Sequence, residues 1–209
     1  PPFIGHVFRT KAQKYWFDQI LQTHGIKSKR VDYVFAWFLK AASYVLDSNT
    51  RVGFVATNSI SQGEQVALVW PRILSELGMT IQFAYQSFIW GSEARGKASV
   101  HVVIVGFVGA KSEIRQKVLY LVGDDGQDHN MIAVKHISPY LIDTSDLENP
   151  DTVIARATKP LNGLSEMRKG TEVVDGGHYI LDDAEKAALL AVCPEAESII
   201  APFWGGANT

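Results

Sequence analysis

The chain has 209 residues, of which 46% are hydrophobic and 20% charged. That composition excludes a disordered or collagen-like chain. A balance of 20 basic against 22 acidic residues, net charge −2, excludes wholesale coating of nucleic acid but leaves room for a local basic cleft. No apolar run is long enough to span a bilayer, and no basic-then-apolar leader opens the chain, so no membrane association is expected. The single cysteine, Cys193, excludes an internal disulfide and predicts a reducing, cytoplasmic setting.

The chain opens on Pro1-Pro2-Phe3-Ile4-Gly5-His6, without Met and in mid-motif, and so reads as part of a longer protein. Two prolines lock φ and remove two backbone donors, leaving their carbonyls free to accept. A flat aromatic beside fixed acceptors suits a flat ring bearing an amino group; a plain turn at a chain end is the other reading. Thr10 to Gln13 has the form of a capping box. Tyr15, Trp16, Phe17, Ile20 and Leu21 then predict an apolar helix face that stops at Gly25. A short basic loop with Lys27, Lys29 and Arg30 follows. Asp32 is placed to cap a second helix through Val45, apolar nearly all round and therefore expected against a sheet.

Arg51 to Thr57 is a short, nearly continuous apolar run, as in a buried parallel strand. Asn58 and Ser59 stand at its carboxyl end, where open α/β sheets bind ligands. Ser61 to Glu64 predicts another capping box and a helix to Gly78, disturbed at Pro71. Ile81 to Phe88 reads as a strand, then comes a polar loop from Trp90 to Lys97, then a strand over Ser99 to Val108. Strand, loop, strand with no intervening helix predicts an antiparallel pair closing a parallel sheet, with Ser99–Val108 between the other two strands. His101 falls in that apolar run and is expected as a hydrogen-bonded core histidine.

After Gly109 the texture changes. Val118 to Val122 and Met131 to Val134 predict short strands, and Ile137 to Arg168 a linker or extended arm. Asp175-Gly176-Gly177 signals a tight turn, and Asp182 to Glu185 a third capping box opening a helix to Val192. The motifs of zinc proteases, P-loops and serine hydrolases are absent, and the six His are scattered, so no metal site is expected. A Gly-rich first βα turn is missing too, which places any cofactor half upstream of Pro1.

Several stretches are more specific. Pro1-Pro2-Phe3-Ile4-Gly5 resembles an NPPF/NPPY motif without its Asn; Asp32 to Ala42 is similar to DYVAAWYLKAA, and Thr57 to Val66 to TNSITQGEQV. Trp90 to His101 resembles W-x-NEARGKAAVH, while Val173 to Gly177 resembles P-x-DGG with Val174 in place of Pro. These motifs belong to the second half of γ-type amino-methyltransferases, and among them to the MmeI-like fused restriction–modification enzymes. The likeness is strong through Val108 and weaker from Val118 onward.

The resemblance implies an α/β fold: the carboxyl half of a Rossmann-like class I methyltransferase sheet, parallel with one antiparallel strand. Residues 1–110 would belong to that catalytic domain, and 111–209 to a linker and the beginning of a target-recognition region. It implies methyl transfer from S-adenosylmethionine to the exocyclic amine of an adenine flipped out of double-stranded DNA. Pro1, Pro2 and Phe3 would be catalytic, orienting the amine and stacking on the ring. Trp90, or else Phe88, would be the second wall, with Asn58 and Ser59 lining the pocket and Arg95 and Lys97 on phosphates. The cofactor loop would lie in the upstream half of the same protein, leaving this stretch inactive by itself. Two alternatives stand beside this: a methyltransferase acting on RNA or a protein glutamine, and a non-catalytic DNA-binding or scaffold module.

Overall fold

The computed structural model describes residues 1–2, 4–5, 8–27, 30–90, 100–123, 129–157, 159–160, 162–165 and 176–202. Phe3, the 91–99 loop with Arg95 and Lys97, and Asp175 lie outside the described residues. The chain divides into two compact units, Pro1–Arg156 and Ala157–Thr209.

In the first unit α1 (Lys11–Thr23) starts at the expected capping box: Thr10 Oγ1 accepts from the Gln13 amide, and the Gln13 side chain accepts from the Thr10 amide. Gly25, at φ +68°, ends it. Only part of the predicted apolar face is buried. Phe17 and Leu21 enter the core, whereas Tyr15 and Trp16 project into solvent and contact each other edge to face. The second helix, α2 (Phe35–Val45), lacks the expected cap. Val34 stands at its N-cap position with no side-chain bond, because the Asp32 carboxylate is taken by Gln65 Nε2 at 3.0 Å. As expected, α2 lies on a sheet, packing Phe38 against Phe54 and Phe107. Tyr44 and Lys40 keep to solvent.

Strand β1 (Arg51–Thr57) passes into a 3-10 turn, Asn58–Ser61, which displaces the predicted second capping box. Ser61 Oγ donates back to Asn58 O at 2.9 Å, so it cannot cap, and Gly63 at φ +69° becomes the N-cap of α3 (Glu64–Pro71). Pro71 has no amide to continue the ladder, and the chain widens into a π turn, Arg72–Glu76. Trp70, fully buried, donates from Nε1 to Ile60 O at 2.6 Å and ties α3 to the turn after β1.

Three further strands and one hairpin partner complete the sheet: β2 (Thr80–Trp90), β3 (Val100–Val108), β4 (Lys117–Val122) and β5 (His129–Val134), in the order β1-β3-β2-β4-β5. The predicted core arrangement is present: β3 lies between β1 and β2 and runs antiparallel to both. Beyond it β4 runs parallel to β2, with Tyr85 stacked on Tyr120 at 3.8 Å, and β5 pairs antiparallel with β4.

The compact unit therefore continues past the sequence boundary at 110. Its sheet takes in β4 and β5, and the stretch expected as a linker from Ile137 is anchored on it as far as Arg156. Ile137 and Leu141 are buried, and Tyr140 Oη accepts from the Ile154 amide at 2.8 Å. Aperiodic sequence here reflects irregular backbone, and does not make it a free linker. In the second unit, Gly176 and Gly177 adopt positive φ, and α4 (Asp183–Val192) starts at the third predicted capping box, with both reciprocal bonds made.

Candidate functional site

The carboxyl ends of β1, β2 and β4 and the amino ends of β3 and β5 share one edge of the sheet, since β3 and β5 run opposite to the other three. A cleft of about 550 Å³ opens there. Its apolar side is Phe88, Ile89 and Val103, and its polar side Gln62, Gln86, Ser87 and His101, with Tyr140 and Leu141 closing it from the loop after β5. Apolar and polar groups thus line the cleft in mixed proportion, and its volume and convergent polar groups are those of a small-ligand pocket.

The predicted site residues distribute as follows. Phe88 lines the cleft, and Trp90 sits two residues on at the strand end, half exposed, its ring 6.4 Å from that of Phe88 and inclined at 45°. Asn58 reaches the cleft rim by donating from Nδ2 to Ser87 Oγ at 3.4 Å. Ser59 turns inward: its Oγ shares a 3.0 Å hydrogen bond with Thr57 Oγ1, and its carbonyl accepts from Gln65 Nε2 at 2.8 Å. Gln65 therefore clips the turn after β1 to Asp32, whose amide donates to Gln65 Oε1 at 2.9 Å. Pro1 is half-buried and Pro2 exposed, and the Phe8 amide donates to Gly5 O at 3.0 Å.

Sequence reasoning missed four contributors. His101 is not a core histidine; the second residue of β3, it is exposed and lines the cleft. Gln86 and Ser87 carry no motif. Arg9 is the fourth: it is nearly buried, lies over the Phe17 ring at 4.3 Å and donates from Nη2 to Val31 O at 2.7 Å. Burial pulls its pKa down, and Asp32 and Asp18 oppose that. Arg9 thereby fixes the segment following the Pro-Pro motif against α1 and the entry to α2. Its only sequence signal was a lone cation among aromatics.

Among the described residues there is no cluster of three metal-ligating side chains, and no helix long and apolar enough to cross a membrane. The turn after β1, Asn58–Ser61, contains no glycine, so no Gly-rich cradle for a nucleotide-like cofactor is built at that strand end.

The mixed parallel and antiparallel sheet with a cleft at one edge is an α/β fold of the methyltransferase type followed by a recognition domain, as the comparisons with known proteins show. More narrowly, the chain belongs to the MmeI family: residues 1–121 match its DNA-methyltransferase domain and residues 148–209 its target recognition domain. It is 33% identical over 207 residues to DNA methyltransferase A of Bacillus subtilis (strain 168), covering 98% of this chain and 22% of that protein. It also resembles the solved structure of the Type IIL restriction-modification enzyme MmeI in complex with DNA, with a TM-score of 0.80 and 38% identity. That match covers 95% of this chain and 25% of that one. The chain thus spans about a quarter of the length of these relatives.

Proposed function

We propose that this chain is the base-binding half of a DNA methyltransferase that modifies an adenine flipped out of double-stranded DNA, within a cytoplasmic restriction–modification or phage-defence enzyme. The observation that carries this reading is the cleft beside Phe88 at the carboxyl edge of the sheet, in a chain of the MmeI family. An exocyclic amine is a poor nucleophile because its lone pair is delocalised into the ring. Acceptors at the Pro1 carbonyl, and at the Asn with which the family's motif begins, would orient the amine and favour localisation of that pair. Phe3 would stack on one face of the base, with Phe88 or Trp90 against the other. Asn58 and Ser59 shape the rim, and Arg95 and Lys97 would meet backbone phosphates.

S-adenosylmethionine would supply the methyl group, bound by the upstream half of the same protein. Strand β1 supports this: it ends the sheet and pairs only with β3 among the described residues, leaving an edge for a parallel neighbour. Residues 1–110 would carry the catalytic share and the later residues lead into target recognition. By itself this stretch would bind no cofactor and turn over no DNA.

The test is methyl incorporation into duplex DNA by the full-length protein carrying Phe3→Ala or Phe3→Tyr. Losing roughly 1–3 kcal/mol of stacking slows transfer about five- to a hundredfold in Phe3→Ala, whereas Phe3→Tyr keeps the ring face and is tolerated. Near-parental turnover of Phe3→Ala with an unchanged melting point would remove the stacking role.

A further inference from the structure

Four consecutive residues of β2, Gln86 to Ile89, line the same cleft. A regular strand cannot do this, because successive side chains leave on opposite faces. The register supplies the reason. Tyr85 pairs with Ile104 and Phe88 with Val102, three steps along β2 against two along β3, which is a β-bulge at Gln86 and Ser87. Both bulge residues are tied down on opposite sides. Ser87 Oγ accepts from Asn58 Nδ2, and Gln86 Nε2 donates to Leu141 O at 3.2 Å. A carbonyl can only accept, so this bond fixes which way the Gln86 amide faces.

Leu141 is itself unusual. It is the one non-glycine residue among those described with a positive φ, +56°, and its side chain is buried. An L-residue holds that conformation only where its surroundings over-determine it. Here the buried side chain, an amide bond to Ser138 O at 2.9 Å and the carbonyl bond from Gln86 do so together. Two backbone irregularities, 55 residues apart in sequence, thus meet in one hydrogen bond beside Phe88.

We infer that Gln86 is a positioning residue for the target base: its bond to the left-handed Leu141 holds the bulge that turns Phe88 into the cleft. Gln86 touches neither base nor methyl donor in this scheme; it acts through the Phe88 ring. The inference rests on the reading that Phe88 walls the base pocket.

The experiment is a double-mutant cycle in the full-length protein, reading kcat and KM for methyl transfer to duplex DNA together with thermal melting. Gln86→Leu lowers kcat/KM by about five- to twentyfold and Phe88→Ala by at least as much, while the double variant is no worse than Phe88→Ala alone. Gln86→Met, which keeps the length but has no donor, replaces Gln86→Leu if the latter fails to fold. Effects of Gln86→Leu and Phe88→Ala that multiply would show that Gln86 acts independently and overturn the inference. So would a Gln86 variant that melts lower but turns over normally when folded, which is the signature of a merely structural tie. A Phe88→Ala protein with unchanged kcat/KM would instead remove the base-wall reading itself, and that outcome is read from the single variant alone.

Discussion

Asn58, in the turn after β1, and Ser87, in β2, are joined by a 3.4 Å hydrogen bond, although β1 and β2 are not neighbours. Strand β3 lies between β1 and β2. Thr57 and Phe88 both pair with Val102, from opposite sides, so the two strand ends arrive at one level. The bond closes over the start of β3 and joins the rim of the cleft. Asn58→Ala is expected to cost about 0.5–1.5 kcal/mol, the net worth of one such bond. Asn58→Leu, which keeps the size but can neither donate nor accept, should cost as much. Urea denaturation of the three proteins checks this, and an Asn58→Leu variant as stable as the parent would show that the bond contributes nothing.

Gly53 and Gly106 face each other across β1 and β3, and the Phe83 ring lies over both. A Cβ on Gly106 would overlap that ring, in a strand paired on both sides and unable to move aside. Gly106→Ala should therefore destabilise the protein by about 1–3 kcal/mol through overpacking. Phe83→Leu should recover part of that loss in the double variant, by thermal or urea unfolding. Equal losses with and without Phe83→Leu would place the strain elsewhere.

Arg9 combines a buried hydrogen bond to Val31 O with a planar contact on Phe17. Lysine can replace the charge but neither the plane nor the fork of donors. Arg9→Lys is expected to lower stability by about 1–2 kcal/mol, through loss of the ring contact and a weaker bond to the carbonyl. An unchanged urea midpoint for Arg9→Lys would mean that only the charge matters.

Burial holds the His24 pKa below its ordinary 6.5. In the interval between the folded value and 6.5 the unfolded chain binds more protons, so stability rises with pH. His24 thus contributes stability that is complete above pH 6.5 and is lost as pH falls through the folded value. Unfolding free energy measured from pH 7.5 downward should decline across that interval, and His24→Gln should decline less steeply. Parallel curves for the two proteins would exclude His24 as the source.

The elements legible in the sequence were those specified by local chemistry. The capping boxes at Thr10 and Asp182 form because both partners lie within one turn of chain, and Arg51–Thr57 is a strand as its apolar run predicted, although it is not the buried parallel strand expected: it is an edge strand, antiparallel to β3, with only Ala56 buried. The order of β1, β2 and β3 also followed locally, since a short loop between β2 and β3 leaves little choice but an antiparallel pair. Where local signals failed, another partner had taken the side chain. Asp32 and Ser61 have the side chains of caps, but Gln65, 33 residues from Asp32, takes the first, and the carbonyl of Asn58 in a tight turn takes the second. The cleft divides in the same way. Phe88 and Asn58 could be proposed from motif and strand-end position, whereas His101, Gln86 and Leu141 could not. His101 belongs to an apolar run whose periodicity does not say where cover ends. The pairing of Gln86 with Leu141 depends on a bulge in β2 and a left-handed turn after β5, each held in place by contacts that exist only once the sheet has formed.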